Sequence, residues 1–247
     1  MWTRCRVPTV VHYIPILTTI IALSLAWSLG SRYRARGGPH LLWWTIGALT
    51  YAAGTAIEAS VTLFGWHEWL FRGWYIAGAL LGGAPLAQGA VYLHVPRKIA
   101  NALSVILITV VAVAAALVLM VPLQYELVEA HRLTGRVMAW PWVRAFSPFI
   151  NLYAFVFLVG GAAKSAIQFW RRRETRRRAQ GNLLIAVGAL LPGIGGSFTR
   201  FGHTEVLYVT EFVGIILIYI GYLRATRDVV PTETRSHDVP LSAAAIR

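Results

Sequence analysis

A single cysteine, Cys5, stands in the chain, which excludes an internal disulfide framework and any metal site built from several thiolates. Charge is scarce as well. Only 13% of the 247 residues are Asp, Glu, Lys or Arg, where a water-soluble domain would carry roughly a quarter. No nucleophile, base and oxyanion arrangement is visible, and the run Gly193-Ile194-Gly195-Gly196 lies within an apolar stretch with no strand before it, so it is not a phosphate loop. These absences point away from an enzyme and from a bound cofactor.

What is present is apolar sequence. Hydrophobic residues make up 57% of the chain, and a helix needs about 20 mainly apolar residues to cross a bilayer. Seven stretches qualify: Tyr13 to Leu29, Leu41 to Phe64, Phe71 to Leu93, Ile99 to Val121, Phe146 to Phe169, Asn182 to Phe201 and Val206 to Leu223. The reading is an all-α integral membrane protein, a seven-transmembrane helix bundle over residues 1–226, with residues 227–247 as a disordered cytoplasmic tail. No lysine lies in the seventh stretch, which disfavours a retinal photoreceptor. Lys164 is near the end of the fifth, where a long side chain can snorkel.

The net charge of +13 is sorted by side. With the amino terminus outside, the inner segments 30–40, 94–98 and 170–181 and the tail from Arg224 hold 15 Lys and Arg, against seven in the outer segments. Positive charge collects on the cytoplasmic side, so the amino terminus is expected out and the carboxyl terminus in, across a bacterial-type inner membrane. A cleaved signal peptide is the rival reading of the first stretch, but it would leave Arg32, Arg34 and Arg36 outside. Anionic lipid headgroups account for the basic run Arg171 to Arg178 more simply than nucleic acid, for which no recognition module is present.

Most connections are short, so sequential helices are expected as antiparallel neighbours. The longer segment Pro122 to Ala145 carries Trp140 and Trp142 and reads as an outer interfacial cap; Trp66, Trp69 and Trp74 read as anchors at the same level. Ile46 to Leu49 resembles Val187 to Leu190, and Phe64-Gly65 resembles Phe201-Gly202. Two three-helix units joined by the fourth helix would explain both likenesses, as in some transporters.

Two acids sit inside the apolar stretches. Glu58 is six residues before Phe64, roughly 9 Å below the outer end of its helix at 1.5 Å per residue, and Glu211 enters the seventh helix to a similar depth. Intramembrane carboxylates face the bundle interior, where they pair or line a ligand or ion path. Gly47, Tyr51, Gly54 and Glu58 share one helix face, and Tyr208, Glu211 and Gly214 another. Arg72 and Arg200 are candidate ion-pair partners or ligand-binding residues at that level. Tyr75, Gly78, Gly82, Pro85 and Gly89 mark a face of the third helix, with Gln88 adjacent; Gly188, Pro192, Gly195 and Thr199 mark one of the sixth. Pro85 and Pro192 are the hinge candidates, since proline frees a carbonyl and bends the axis. Histidines fall near the two surfaces, so neither a haem nor a metal site is expected.

From Leu42 through Trp44, Gly47, Tyr51 and Glu58 to Trp69, Trp74, Tyr75 and Pro85, the chain resembles the seven-helix membrane input region at the amino terminus of some bacterial histidine kinases. That resemblance implies a sensory or ligand-binding bundle, with Glu58 and Tyr75 as pocket residues. No dimerisation helix or ATP domain follows Leu223, so the expectation is output through a separate membrane or cytoplasmic partner. The expected ligand is a small molecule or lipid held near Glu58, Tyr75 and Glu211 in a polar cavity open to the outer face. The alternatives are a small-solute transporter and a non-catalytic subunit of a membrane complex.

Overall fold

In lipid no water is at hand to satisfy the peptide groups, so apolar runs of this length bond to themselves as helices. The computed structural model describes residues 10–130, 132–171, 173–199 and 201–226; the segment 227–247 and Arg200 lie outside the described residues. Among the described residues, seven long helical runs follow one another: α1 (Ile14–Arg36), α2 (Pro39–Phe64), α3 (Glu68–His94), α4 (Arg97–Met120), α5 (Pro141–Trp170), α6 (Arg176–Thr199) and α7 (Thr204–Thr226). Six contain stretches long and apolar enough to cross a membrane. α2 is equally long at 26 residues but is made less apolar by Glu58 and its threonines, tryptophans and glycines. The chain is thus an all-α, multi-pass membrane protein.

The helices outrun the apolar stretches. α1 continues past Leu29 to Arg36, and α6 begins at Arg176 rather than Asn182. Long basic side chains tolerate this because they can carry their charge to the headgroups. Gly37 (φ 64°) and Gly38 (φ 103°) then turn the chain sharply from α1 into α2, a left-handed backbone open chiefly to glycine.

α1 packs on α2, α2 on α3, α3 on α5, α5 on α6, α6 on α7, and α7 back on α1, closing a ring with α4 outside against α3. Lipid supplies no hydrophobic drive between helices, so close backbone approach must hold them. Glycine provides it. Along α6, Gly181, Gly188 and Gly195 recur every seven residues and meet Gly221, Gly214 and Leu207 of the antiparallel α7; a Cβ on Gly188 would lie 2.6 Å from the Gly214 carbonyl oxygen. Between α2 and α3 the same device operates, with Gly54 against Gly78 and Gly47 against Leu86.

α3 is broken. It runs as an α-helix to Trp74, widens to a π turn over Tyr75–Leu80, unwinds at Leu81 to Gly83 and restarts at Ala84 with Pro85 in its first turn. Neighbouring helices satisfy the carbonyls around the break: Ala79 O accepts from Ser147 Oγ (3.1 Å) and Asn151 Nδ2 (3.2 Å), and Leu81 O from Thr50 Oγ1 (3.3 Å). Irregular backbone at membrane depth requires such partners. Pro192, by contrast, stays within a continuous helix and packs beside Gly214.

The segment between α4 and α5 folds back over one end of the bundle. Among the described residues there is no β-strand, but Leu123 pairs with Met138 and Glu129 with Arg132 as isolated antiparallel bridges. Trp66 N donates to Ala130 O (2.9 Å), fastening this cap to the α2–α3 turn.

Candidate functional site

Glu58 and Glu211 meet at the capped end of the ring, although 153 positions separate them in sequence. Glu58 is 3% exposed, and its carboxyl group lies beside that of Glu211. The Gly54–Gly78 contact brings α3 close enough for Trp74 Nε1 to donate to Glu58 Oε1 at 2.8 Å. From α2, Tyr51 donates its hydroxyl to the Glu211 backbone carbonyl at 3.0 Å. Buried Tyr208, one turn before Glu211, completes the wall and meets His12 edge-on at 5.9 Å between ring centroids.

Two oxygens of this group, Glu58 Oε2 and Glu211 Oε2, are buried with no hydrogen-bond donor. Native proteins rarely leave such atoms unpaired. A second polar cluster shows the contrast. Fully buried Gln88 donates to Ala100 O (3.0 Å) and Ser104 Oγ (2.7 Å) and accepts from the Tyr153 hydroxyl, which fastens α4 and α5 to α3. Every polar group of the Gln88 side chain is engaged, as a packing role requires, whereas the acid pair has acceptors to spare.

Arg72 does not reach the pair. It bonds Glu68 Oε1 through Nε (2.9 Å), Val121 O through Nη2 (3.0 Å) and Val118 O through Nη1. Its charge therefore sits on the open carbonyls at the end of α4, a favourable place for a cation. Glu68 also accepts from the Tyr125 hydroxyl of the cap (2.5 Å), and that bond raises the Tyr125 pKa above the usual phenol range. Tyr75 packs in the apolar cluster with Phe71, Val118, Leu133 and Met138, its ring against Gly135 of the cap.

The residues singled out in the sequence thus divide. Glu58 and Glu211 come together with Tyr51 and Tyr208; Tyr75 and Arg72 serve the α3–α4–cap junction; Pro85 marks the break in α3; Arg200 lies outside the described residues. Trp74 sits at the level expected of an interfacial anchor, yet its indole N–H donates to an acid. Its position sixteen residues after Glu58 across a tight antiparallel turn is the signal that finds it. Neither of two clefts found in the structure opens on the acids: one is lined by Leu23, Trp27, Ser28 and Tyr219, the other by Ile167, Trp170 and Leu183.

The chain matches no family model, no curated protein and no solved structure.

Proposed function

We propose that this multi-pass protein is a sensor-like, ligand-binding seven-helix module of a bacterial inner membrane, amino terminus outside, with its site at Glu58 and Glu211. The observation that carries the reading is the acid pair whose two buried Oε2 atoms have no donor, because groups aimed inward without a partner await one. A ligand that engages an acid on α2 and another on α7 favours the packing in which the two helices are joined. The break in α3 beside them is the element able to yield, and a separate partner on the inner side would receive the change.

The complementary ligand is a small cationic molecule. Thermal unfolding of the protein in lipid nanodiscs, measured against a panel of small primary and quaternary amines at constant ionic strength, tests this. Saturable stabilisation by a panel member, lost in Glu58→Gln and Glu211→Gln, is the expected result; no stabilisation by any amine contradicts it. Uptake of an amine into proteoliposomes that depends on Glu58 would instead favour the transporter reading.

A further inference from the structure

At the end of the bundle opposite the cap, a cleft of about 330 Å³ opens between the end of α5 and the start of α6, lined by Ala166, Ile167, Trp170, Arg171 and Leu183. Its rim is apolar and faces outward: Ile167 is 64%, Trp170 51% and Leu183 48% exposed. In a membrane such a face is covered by lipid tails. Arg171 adds a second requirement, because a cation on the wall of an apolar cleft calls for an anion as well as a chain.

The neighbouring sequence supplies more of the same charge. Arg171 to Arg178 holds six arginines and one acid, Glu174, and Arg171, Arg173 and Arg176 are exposed. Every other acid among the described residues belongs to the cap or to the helix ends beneath it, at the opposite end of the bundle. Ile167 precedes Arg171 by about one helical turn, roughly 6 Å, so the apolar wall begins where the arginines stop. Arginine lays its stem on apolar surface while its head reaches the headgroup level, and Trp170 suits that same level. A phospholipid has this layout, phosphate above and chain below.

A second cleft, between α1 and α7, shows the contrast. Leu23, Trp27, Ser24, Ser28 and Tyr219 line it, with no cation among its lining residues. The guanidinium of nearby Arg34 lies over the Trp27 ring, 5.4 Å from its centroid. Charge and apolar cleft coincide at α5–α6.

We propose that the α5–α6 cleft seats one anionic phospholipid, with an acyl chain along Ile167 and Leu183 and the phosphate at Arg171. A basic run by itself attracts anionic headgroups diffusely; the cleft makes the contact a single, saturable site. The proposal is independent of the acid pair and of its ligand. In the expected orientation the lipid belongs to the inner leaflet.

Native mass spectrometry of the full chain in mild detergent, titrated with phosphatidylglycerol or with phosphatidylcholine of the same chains, tests this. One phosphatidylglycerol should bind ahead of any further adduct, at least about fivefold more tightly than phosphatidylcholine. Arg171→Gln should weaken that site roughly fivefold, the factor that one basic residue contributes near anionic lipid. Leu183→Trp keeps every charge but fills the cleft, and should abolish the site. Ile167→Trp fills it from α5 and takes its place should Leu183→Trp fail to fold. Arg34→Gln removes an arginine of the same end outside the cleft and should leave binding unchanged.

Equal binding of the two lipids overturns the proposal. So does a preference that survives both tryptophan variants, or that Arg34→Gln weakens as much as Arg171→Gln, since either describes a diffuse basic surface. A dimer mass that the tryptophan variants abolish gives the cleft to a second copy of the chain and overturns it as well.

Discussion

Buried polar side chains in this protein fall into two kinds. Gln88 and Arg72 are saturated with partners and act as clamps, Gln88 on α4 and α5 and Arg72 on the end of α4. Replacing Arg72 by Ala leaves Glu68 and two carbonyls uncompensated and is expected to cost about 3 kcal/mol, measured by chemical unfolding in mixed micelles. Trp74→Phe removes the indole donor of Glu58 while keeping the ring; a loss of about 1–2 kcal/mol is expected in the same assay, and no change would show that the indole is not bonded there. The two acids were legible in the sequence because a carboxylate inside an apolar helix is costly and must have a reason. Trp74 was not, since tryptophan near a helix end is equally at home at the headgroup level. Only the approach of Gly54 to Gly78 turns it inward.

Helix pairs here are set by where side chains are missing. The seven-residue spacing of Gly181, Gly188 and Gly195 faces Gly221, Gly214 and Leu207 in one constant antiparallel register, and Gly47 and Gly54 repeat that spacing on α2. Gly188→Leu must displace the Gly214 carbonyl or the side chains of Leu217 and Ile218, so a loss of about 3 kcal/mol or failure to fold is expected. Gly193→Leu, on the same helix but facing open space, should change stability by less than about 0.5 kcal/mol. Equal effects of the two would contradict the register. The glycine faces could be read from periodicity, and so could a disturbance at Pro85. The π turn and the unwound step before Pro85 could not. They depend on Thr50, Ser147 and Asn151 arriving from other helices to satisfy the freed carbonyls, a tertiary fact.

At the scale of the whole molecule, the apolar stretches gave an all-α, multi-pass architecture, while ring closure emerges only from packing. α7 returns to α1 and thereby faces α2, and that closure brings two acids distant in sequence to one place. The expected orientation is testable by itself. In a Cys5→Ser background, an impermeant maleimide added to intact cells should label Glu126→Cys in the cap and not Arg34→Cys at the far end of α1; the opposite pattern would invert the topology. A double-mutant cycle tests most directly whether Glu58 and Glu211 act as one unit across the ring. Unfolding free energies of the unmodified protein, Glu58→Ala, Glu211→Ala and the double variant should show a coupling of about 1 kcal/mol or more. Additive effects, with coupling indistinguishable from zero, would mean that the two acids do not share a site.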